Sequence, residues 1–244
     1  MRLKRLCQKI NLSNYPQFYK NSYNKKKIDS VEFNNYWKTN KNIFLEEYFS
    51  VLLYYALDIP NKVSNSFLIN RTRYEELYGN SDVSGTLFLL AAGKFEKAIS
   101  NKNQKEFDKA AEFTSKANSK EDANKIIEQF RKRYLLAQNK WSEVYKLNET
   151  LKNNNQFNED AVNSFSWDVY EKCNDKNVII KCAQWMKELT DKEPNYANLD
   201  TYACILYKSG SIVEAKRIAN LAIETGKKNN ENTSSTEKFL KKIQ

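Results

Sequence analysis

The stretch of sequence that decides the fold covers residues 182–222 and reads CAQWMKELTDKEPNYANLDTYACILYKSGSIVEAKRIANLA. Its positions recur at a fixed interval, because Cys182 and Ala215 are 33 residues apart, as are Leu189 and Ala222. A fixed interval of this length indicates a repeated structural unit of two helices, which buries its apolar face only against a neighbouring unit.

The residues at the ends of the predicted helices support this interpretation. Gly210 stands where one helix is expected to end, and Pro194 follows the preceding helix at a common stop position. Ala215, Ala219 and Ala222 share one face of the next helix, where small side chains let neighbouring helices approach closely. Together with a repeat near 34 residues, this pattern is typical of tetratricopeptide-like helix pairs.

Apolar residues spaced three and four apart also predict helices through the rest of the chain. One stripe covers residues 45–56, and a second predicts a single helix over 63–78 that stops at Gly79. Ser81 is the expected cap of the next helix. Ser119 to Asp122 matches the capping box, in which side chains satisfy the free amide groups of a helix start.

Composition favours the same class of fold. With 5 Gly and 3 Pro in 244 residues, the chain lacks the turn residues of a β-sandwich or a doubly wound α/β fold. We therefore predict an all-α protein, an α-solenoid of stacked antiparallel, tetratricopeptide-like helix pairs. The predicted organisation is N-terminal short helices over 1–40, a helical array over 41–152, and tetratricopeptide-like pairs over 158–244 that continue the same array.

The net charge of +10 has two interpretations. A basic surface attracts nucleic acid, an anionic membrane or an acidic protein. Alternatively, Lys and Asn are simply the usual surface residues of this chain. The Lys/Asn tracts at 24–27, 152–156 and 227–232 lie between helical patterns and are expected to be solvated linkers, with 153–158 as the best candidate for a domain linker.

The sequence contains no pattern that we associate with catalysis. Histidine is absent, which removes Ser-His and Cys-His pairs, and neither glycine-rich phosphate-binding motif occurs. The four cysteines form no C-x-x-C pair, and Cys173, Cys182 and Cys204 occupy apolar helix positions where Cys is usually buried. We predict a non-enzyme with no catalytic, cofactor-binding or metal-binding residues and no cofactor.

The chain also contains adjacent acidic residues and a basic, aromatic cluster. The adjacent acids Glu46/Glu47 and Glu75/Glu76 point in different directions on a helix and are expected to be solvated. Arg131–Tyr134 is the best basic and aromatic cluster for nucleic acid, but a helix places Tyr134 in the core and spreads the cations.

A peptide groove in the last helix pairs was also considered. The turns that would hold a carboxylate clamp carry no cation; they carry Ala197, Asp200, Ala203 and Cys204. Four aromatic residues either line a groove or fill the core between repeats, and helical spacing favours the core: Trp167, Trp185, Tyr202 and Tyr207.

The N-terminal sequence MRLKRLC is basic, but polar residues interrupt it at once, so it does not match a secretory signal. The most apolar stretch, 48–57, is too short to cross a bilayer. We therefore expect a cytoplasmic protein without a membrane segment.

Several segments resemble the C-terminal helical-repeat region of thioredoxin-family proteins of Bacteroidetes type. They are NSFSWDVYE at 163–171, KCAQW at 181–185, EPNYANLDTYA at 193–203, RYEELYG at 73–79, and Arg133-Tyr134 with Trp141. The resemblance covers about residue 40 to the C-terminus. It implies architecture and not chemistry, because the C-x-x-C domain that precedes this region in the family has no counterpart here.

The expected function is therefore protein–protein interaction by a helical-repeat protein, with a protein or peptide partner whose surface is acidic. Nucleic-acid binding is the alternative from another class, although the scattered cations disfavour it. Accessory function in a thioredoxin-type redox system is a third hypothesis, which rests on the resemblance alone.

Overall fold

The computed structural model describes residues 12–23, 29–154 and 158–243, and within those ranges it contains helices and no strand. The prediction of an all-α protein is confirmed. After a 3₁₀-helix at Leu12–Asn14, the described ranges contain fourteen α-helices: α1 Gln17–Tyr23, α2 Ser30–Thr39, α3 Glu46–Tyr54, α4 Asn61–Ile69, α5 Arg71–Tyr78, α6 Asn80–Ser100, α7 Gln104–Ala117, α8 Lys120–Ala137, α9 Trp141–Asn153, α10 Glu159–Lys172, α11 Lys176–Lys192, α12 Tyr196–Ser209, α13 Ile212–Lys228 and α14 Ser234–Ile243.

The chain divides into two compact units, and the division lies between Phe130 and Arg131, inside α8. Helices α1 to α7 belong to the first unit and α9 to α14 to the second. The expected linker at 153–158 begins at the last residue of α9, and its residues 155–157 lie outside the described part of the chain, as do Cys7 and the tract at 24–27.

The core of the first unit is rich in aromatic side chains. Phe49 stacks on Tyr78 with ring centroids 4.3 Å apart, and Tyr74 lies at the same distance from Phe67. The hydroxyl of Tyr74 donates to the carbonyl oxygen of Ile43, which satisfies a polar atom that burial would otherwise leave unpaired. Aromatic rings thus fill the space between short helices, and their hydroxyl groups bond to the backbone between the helices.

In the second unit, α12 occupies the centre of the core. Its residues 201–206 are buried without interruption, as expected of a helix surrounded by others. It packs on α10, α11 and α13, and α9 packs on α11. Ala215, Ala219 and Ala222 of α13 are fully buried, in agreement with the close helix contacts predicted for them.

The observed helix ends agree in part with those predicted from the sequence. Gly210 follows α12 with φ of 92°, a left-handed conformation that suits glycine, and Ser119 Oγ accepts a hydrogen bond from the Asp122 amide at 3.2 Å. Two predictions are wrong. The helix expected over 63–78 is broken at Asn70 into α4 and α5, and Ser81 is not a cap because α6 already begins at Asn80.

Candidate functional site

The best candidate site is a basic cavity of about 540 Å³ in the first unit, between α4, α6 and α7. Helix α7 follows α6 after a short turn in which Lys102 has φ of 49°, and Asn103 then caps α7 by accepting from the Glu106 amide at 3.1 Å. We call this cavity the lysine cleft. Its walls consist of Asn61, Asn65, Leu68 and Ile69 from α4, Lys94 and Lys97 from α6, and Glu106, Lys109, Ala110, Glu112, Phe113 and Lys116 from α7.

Lys94 is the half-buried cation of the cleft. Its ammonium group donates to the Asn61 side-chain oxygen and lies 4.8 Å from the centre of the Phe113 ring. Burial, and to a lesser degree the neighbouring charge of Lys97, lowers the pKa of Lys94 to about 8. A cation that has lost water in this way gains more than a solvated one from a negative ligand, because less of its charge is already screened.

The other charges of the cleft leave it positive. Lys116 pairs with Glu112 at 2.6 Å, and Glu106 accepts a hydrogen bond from Asn101 at 2.9 Å. In the described ranges, no carboxylate lies within ion-pair distance of Lys94, Lys97 or Lys109. Lys94, Lys97 and Lys109 therefore line one cavity without a direct ion pair, and the four lysines of the lining outnumber its two glutamates.

One wall of the cleft is apolar. Ile69, at the C-terminal end of α4, exposes 83% of its surface at the edge of this wall. Leu68 and Phe113 lie deeper and are mostly covered. The cleft thus offers a charged contact and an apolar contact within one cavity, a combination that suits a peptide side chain and its neighbour.

The groups weighed from the sequence lie elsewhere. Tyr134 is buried, as its helix register predicts, and Lys132 of the same cluster places its ammonium group 5.4 Å from the Phe165 ring. Glu75 and Glu76 pair with Arg71 and Arg73 within their own helix. The hydroxyl of Tyr15 donates to Glu46 at 2.7 Å.

The residues of the supposed peptide groove have other contacts. Trp185 is buried and stacks on Tyr145 at 4.3 Å, and Tyr202 is buried too. Trp167 and Tyr207 are half-buried. At the clamp positions, Ala203 and Cys204 are buried, and Asp200 accepts a hydrogen bond from Thr236 at 2.6 Å.

The three described cysteines, Cys173, Cys182 and Cys204, are buried free thiols. Burial raises the pKa of Cys182 and of Cys204 to about 12, which keeps both as unreactive thiols at neutral pH. In the part of the chain that the structure describes, no group of three or more His, Cys, Asp or Glu side chains could hold a metal ion, and no helix is both long and apolar enough to cross a membrane.

Sequence reasoning missed the lysine cleft, although one signal was present. Lys94 lies three residues after Ala91 and four before Ala98, so it shares the buried face of α6. A lysine on an apolar face marks a site where a charge is partly removed from water. Comparison of the chain with protein families, curated proteins and solved structures found no match.

Proposed function

We propose that the chain is a non-catalytic helical-repeat protein that mediates protein–protein interaction, and that its lysine cleft receives an acidic segment of the partner. The observation that carries this proposal is the set of three lysines, Lys94, Lys97 and Lys109, that line one cavity without an ion pair among the described residues. Charge complementarity of this kind raises the association rate and selects acidic partners.

A protein segment suits this cavity better than nucleic acid does. A nucleic-acid site stacks bases on aromatic faces along a charged groove. In the lysine cleft, the Phe113 ring is already faced by the Lys94 ammonium group, and Leu68 and Ile69 provide aliphatic contacts. Charged groups beside aliphatic ones suit the side chains of an acidic peptide segment.

The packing of the second unit supports a tetratricopeptide-like arrangement. There, α10 packs on both α11 and α12, and α12 packs on α13, so a helix contacts its neighbour and its second neighbour, as in stacked pairs. Helices α11 and α13 begin at 176 and 212, 36 residues apart, so the 33-residue interval in the sequence differs from the helix interval by three residues. Three residues are nearly one turn, which keeps Cys182 and Ala215 on equivalent buried faces.

The resemblance to the helical region of thioredoxin-family proteins supports the same architecture, and it leads to the redox alternative. If the chain assists a redox partner, it does so through contacts of its surface residues and not through its thiols. Cys173, Cys182 and Cys204 are buried, and the raised pKa of each thiol opposes thiol exchange.

The test is affinity capture from a lysate of the source cells with three forms of the protein: wild type, Lys97→Glu/Lys109→Glu, and Lys228→Glu/Lys238→Glu. The two variants carry the same net charge, and the second pair lies outside the lysine cleft. We expect the wild type and the control variant to retain the same proteins and the cleft variant to lose them. Retention should be weaker at about 0.5 M salt than at about 0.1 M.

The proposal is wrong if the wild type retains no protein, or if the cleft variant retains the same proteins as the control. Retention that nuclease treatment abolishes would favour the nucleic-acid alternative instead.

A further inference from the structure

The lysine cleft combines an exposed apolar residue with a half-buried cation. Ile69 stands almost fully exposed at the end of α4, while Lys94 is half-buried and contacts Asn61 and Phe113. An ammonium group has three donors, and Asn61 takes one of them. Donors therefore remain on Lys94 for a ligand in the cavity.

We infer that the lysine cleft recognises an extended peptide segment in which a carboxylate side chain adjoins an apolar one. The carboxylate binds the Lys94 ammonium group, and the apolar side chain packs against Leu68 and Ile69. This inference rests on the proposed function and specifies the partner's chemistry.

A carboxylate bound to Lys94 stands in for the hydrating water that the ammonium group loses when it is buried. In the empty cleft, no carboxylate of the described residues lies within ion-pair distance of Lys94, whose ammonium group contacts the Asn61 amide oxygen and the face of the Phe113 ring. Neither carries a full negative charge. A bound carboxylate forms a charge-assisted hydrogen bond in a partly dehydrated setting, where such bonds are strongest.

Lys97 and Lys109 act on the same ligand from the rim. Both side chains are exposed, so their attraction for an acidic segment is screened by salt, whereas the contact at Lys94 is screened less. Lys97 and Lys109 thus attract any of several acidic residues in the ligand. The contact at Lys94 and Ile69 is more selective, because it requires an apolar residue beside one of those acidic residues.

Binding to Lys94 also takes up a proton at alkaline pH. The polar and charged groups that line the cavity with Lys94 are Asn61 and Asn65 on α4, Lys97 on α6, and Glu106, Lys109, Glu112 and Lys116 on α7. Because the pKa of Lys94 is about 8 in the empty cleft, its charge is mostly present at pH 7 and mostly absent at pH 9. A carboxylate ligand raises that pKa, so affinity must fall as pH rises through 8.

The experiment uses fluorescence anisotropy with labelled peptides of sequence Glu-Leu-Glu-Phe-Glu, Glu-Ser-Glu-Ser-Glu and Lys-Leu-Lys-Phe-Lys. We expect the first to bind the full chain about tenfold more tightly than the second, because two apolar side chains leave water, and the third not to bind. Between pH 7 and pH 9, we expect the affinity of the first peptide to fall about tenfold.

Two variants isolate Lys94. Lys94→Arg keeps the charge at both pH values, so its affinity is expected to be the same at pH 7 and pH 9. Lys94→Met removes the charge, so binding should be weak at both, with helix content measured by circular dichroism to show that the variant is folded. The arginine variant separates Lys94 from the terminal amino group, which titrates in the same range.

Equal binding of the first two peptides, or the same loss of affinity in Lys94→Arg as in the wild type, would overturn this inference. If affinity capture still yields a partner that Lys97→Glu/Lys109→Glu loses, the proposed function stands while this ligand chemistry fails. If neither peptides nor partner bind, both fail.

Discussion

Gly93 and Gly85 lie in the same helix, α6, but their surroundings differ. A Cβ atom on Gly93 would come within 2.4 Å of the carbonyl oxygen of Leu57, whose backbone cannot move aside easily, whereas Gly85 has nothing within 4 Å. We therefore predict that Gly93→Ala lowers the free energy of unfolding by about 2 kcal/mol or more. Chemical denaturation measures this.

The matched control is Gly85→Ala, which replaces a glycine inside the same helix by a better helix former without a clash. It should raise the free energy of unfolding by about 0.5–1 kcal/mol. Equal effects of the two substitutions would mean that α6 does not approach Leu57 closely.

Lys94 is expected to be a destabilising residue that serves binding. Its pKa falls from 10.5 to about 8, so below pH 8 it is charged in both the folded and unfolded chain, and the folded state bears the cost of burying that charge. Between pH 8 and pH 10.5 the folded state loses the proton first, so this cost disappears as pH rises.

Lys94→Met should therefore raise the free energy of unfolding at pH 7 by about 1–2 kcal/mol, after allowance for the lost contacts with Asn61 and Phe113. Denaturation at pH 7 and pH 10 checks the gain, which should shrink at the higher pH. The exposed control Lys62→Met should change little at either pH. A loss of stability in Lys94→Met at pH 7 would contradict this account of the cleft.

At the residue scale, the sequence largely predicted which positions are buried, but it did not predict which residues of other helices they contact. The alanines of α13 and the two helical cysteines, Cys182 and Cys204, are buried because they lie on apolar faces that periodicity shows, whereas Cys173 is buried just after the end of α10. Lys94 also lies on such a face, yet periodicity does not show that Asn61 and Phe113 enclose its ammonium group, since these residues come from other helices.

At the element scale, α11 depends on its N-terminal cap. The Asp175 carboxylate accepts hydrogen bonds from the amides of Asn177 and Val178, and it accepts another from the Ser142 hydroxyl at 2.6 Å. We predict that Asp175→Ala lowers the free energy of unfolding by about 1 kcal/mol, which thermal or chemical denaturation measures. The exposed control Glu224→Ala should have little effect.

This contribution depends on pH. The hydrogen bond from Ser142, followed by those from the two amides, holds the pKa of Asp175 below its ordinary value of 3.8. The stabilisation is therefore complete above the ordinary value and is lost as pH falls through the lowered one. The difference between Asp175→Ala and the wild type should narrow in strong acid; a constant difference would show that the carboxylate's charge does not matter.

The break at Asn70 shows why helix boundaries were harder to predict than helices. Phe67 and Tyr74 are seven residues apart, two helical turns, so an unbroken helix and two short helices give the same apolar pattern. The Asn70 side chain and the Asn70 amide both donate to the Ser66 carbonyl, which closes the last turn of α4. These contacts are local and leave no trace in periodicity.

At the scale of the molecule, the buried tyrosines should control unfolding in alkali. Burial raises the pKa of Tyr48 to about 12, and it raises the pKa values of Tyr15, Tyr36 and Tyr74 as well. Above pH 10 the unfolded chain loses phenol protons that the folded chain keeps, so stability falls as pH rises.

We predict that absorbance of phenolate near 295 nm rises in one step with the loss of helix circular dichroism. Tyr48→Phe, which removes one of these groups, should move that transition to higher pH. A smooth rise of phenolate absorbance near pH 10, before any helix is lost, would show that these rings are open to water.

The all-α class followed from the scarcity of Gly and Pro and from periodicity, which depend on composition and neighbouring residues. The lysine cleft did not, because it joins positions 61–69, 94–97 and 106–116 from three helices. Neither the net charge of +10 nor any single segment shows which lysines line the same cavity. That requires the packing of the helices.

Site-specific photo-crosslinking in living cells tests the central claim most directly. A benzoylphenylalanine replaces Ile69, 83% exposed at the lysine cleft, or Val213, 86% exposed on α13, as the control. We predict a protein adduct from position 69 that Lys97→Glu/Lys109→Glu abolishes, that Lys228→Glu/Lys238→Glu preserves, and that position 213 does not give. Identical adducts from both positions, or none from position 69, would contradict the assignment of the lysine cleft as the partner site.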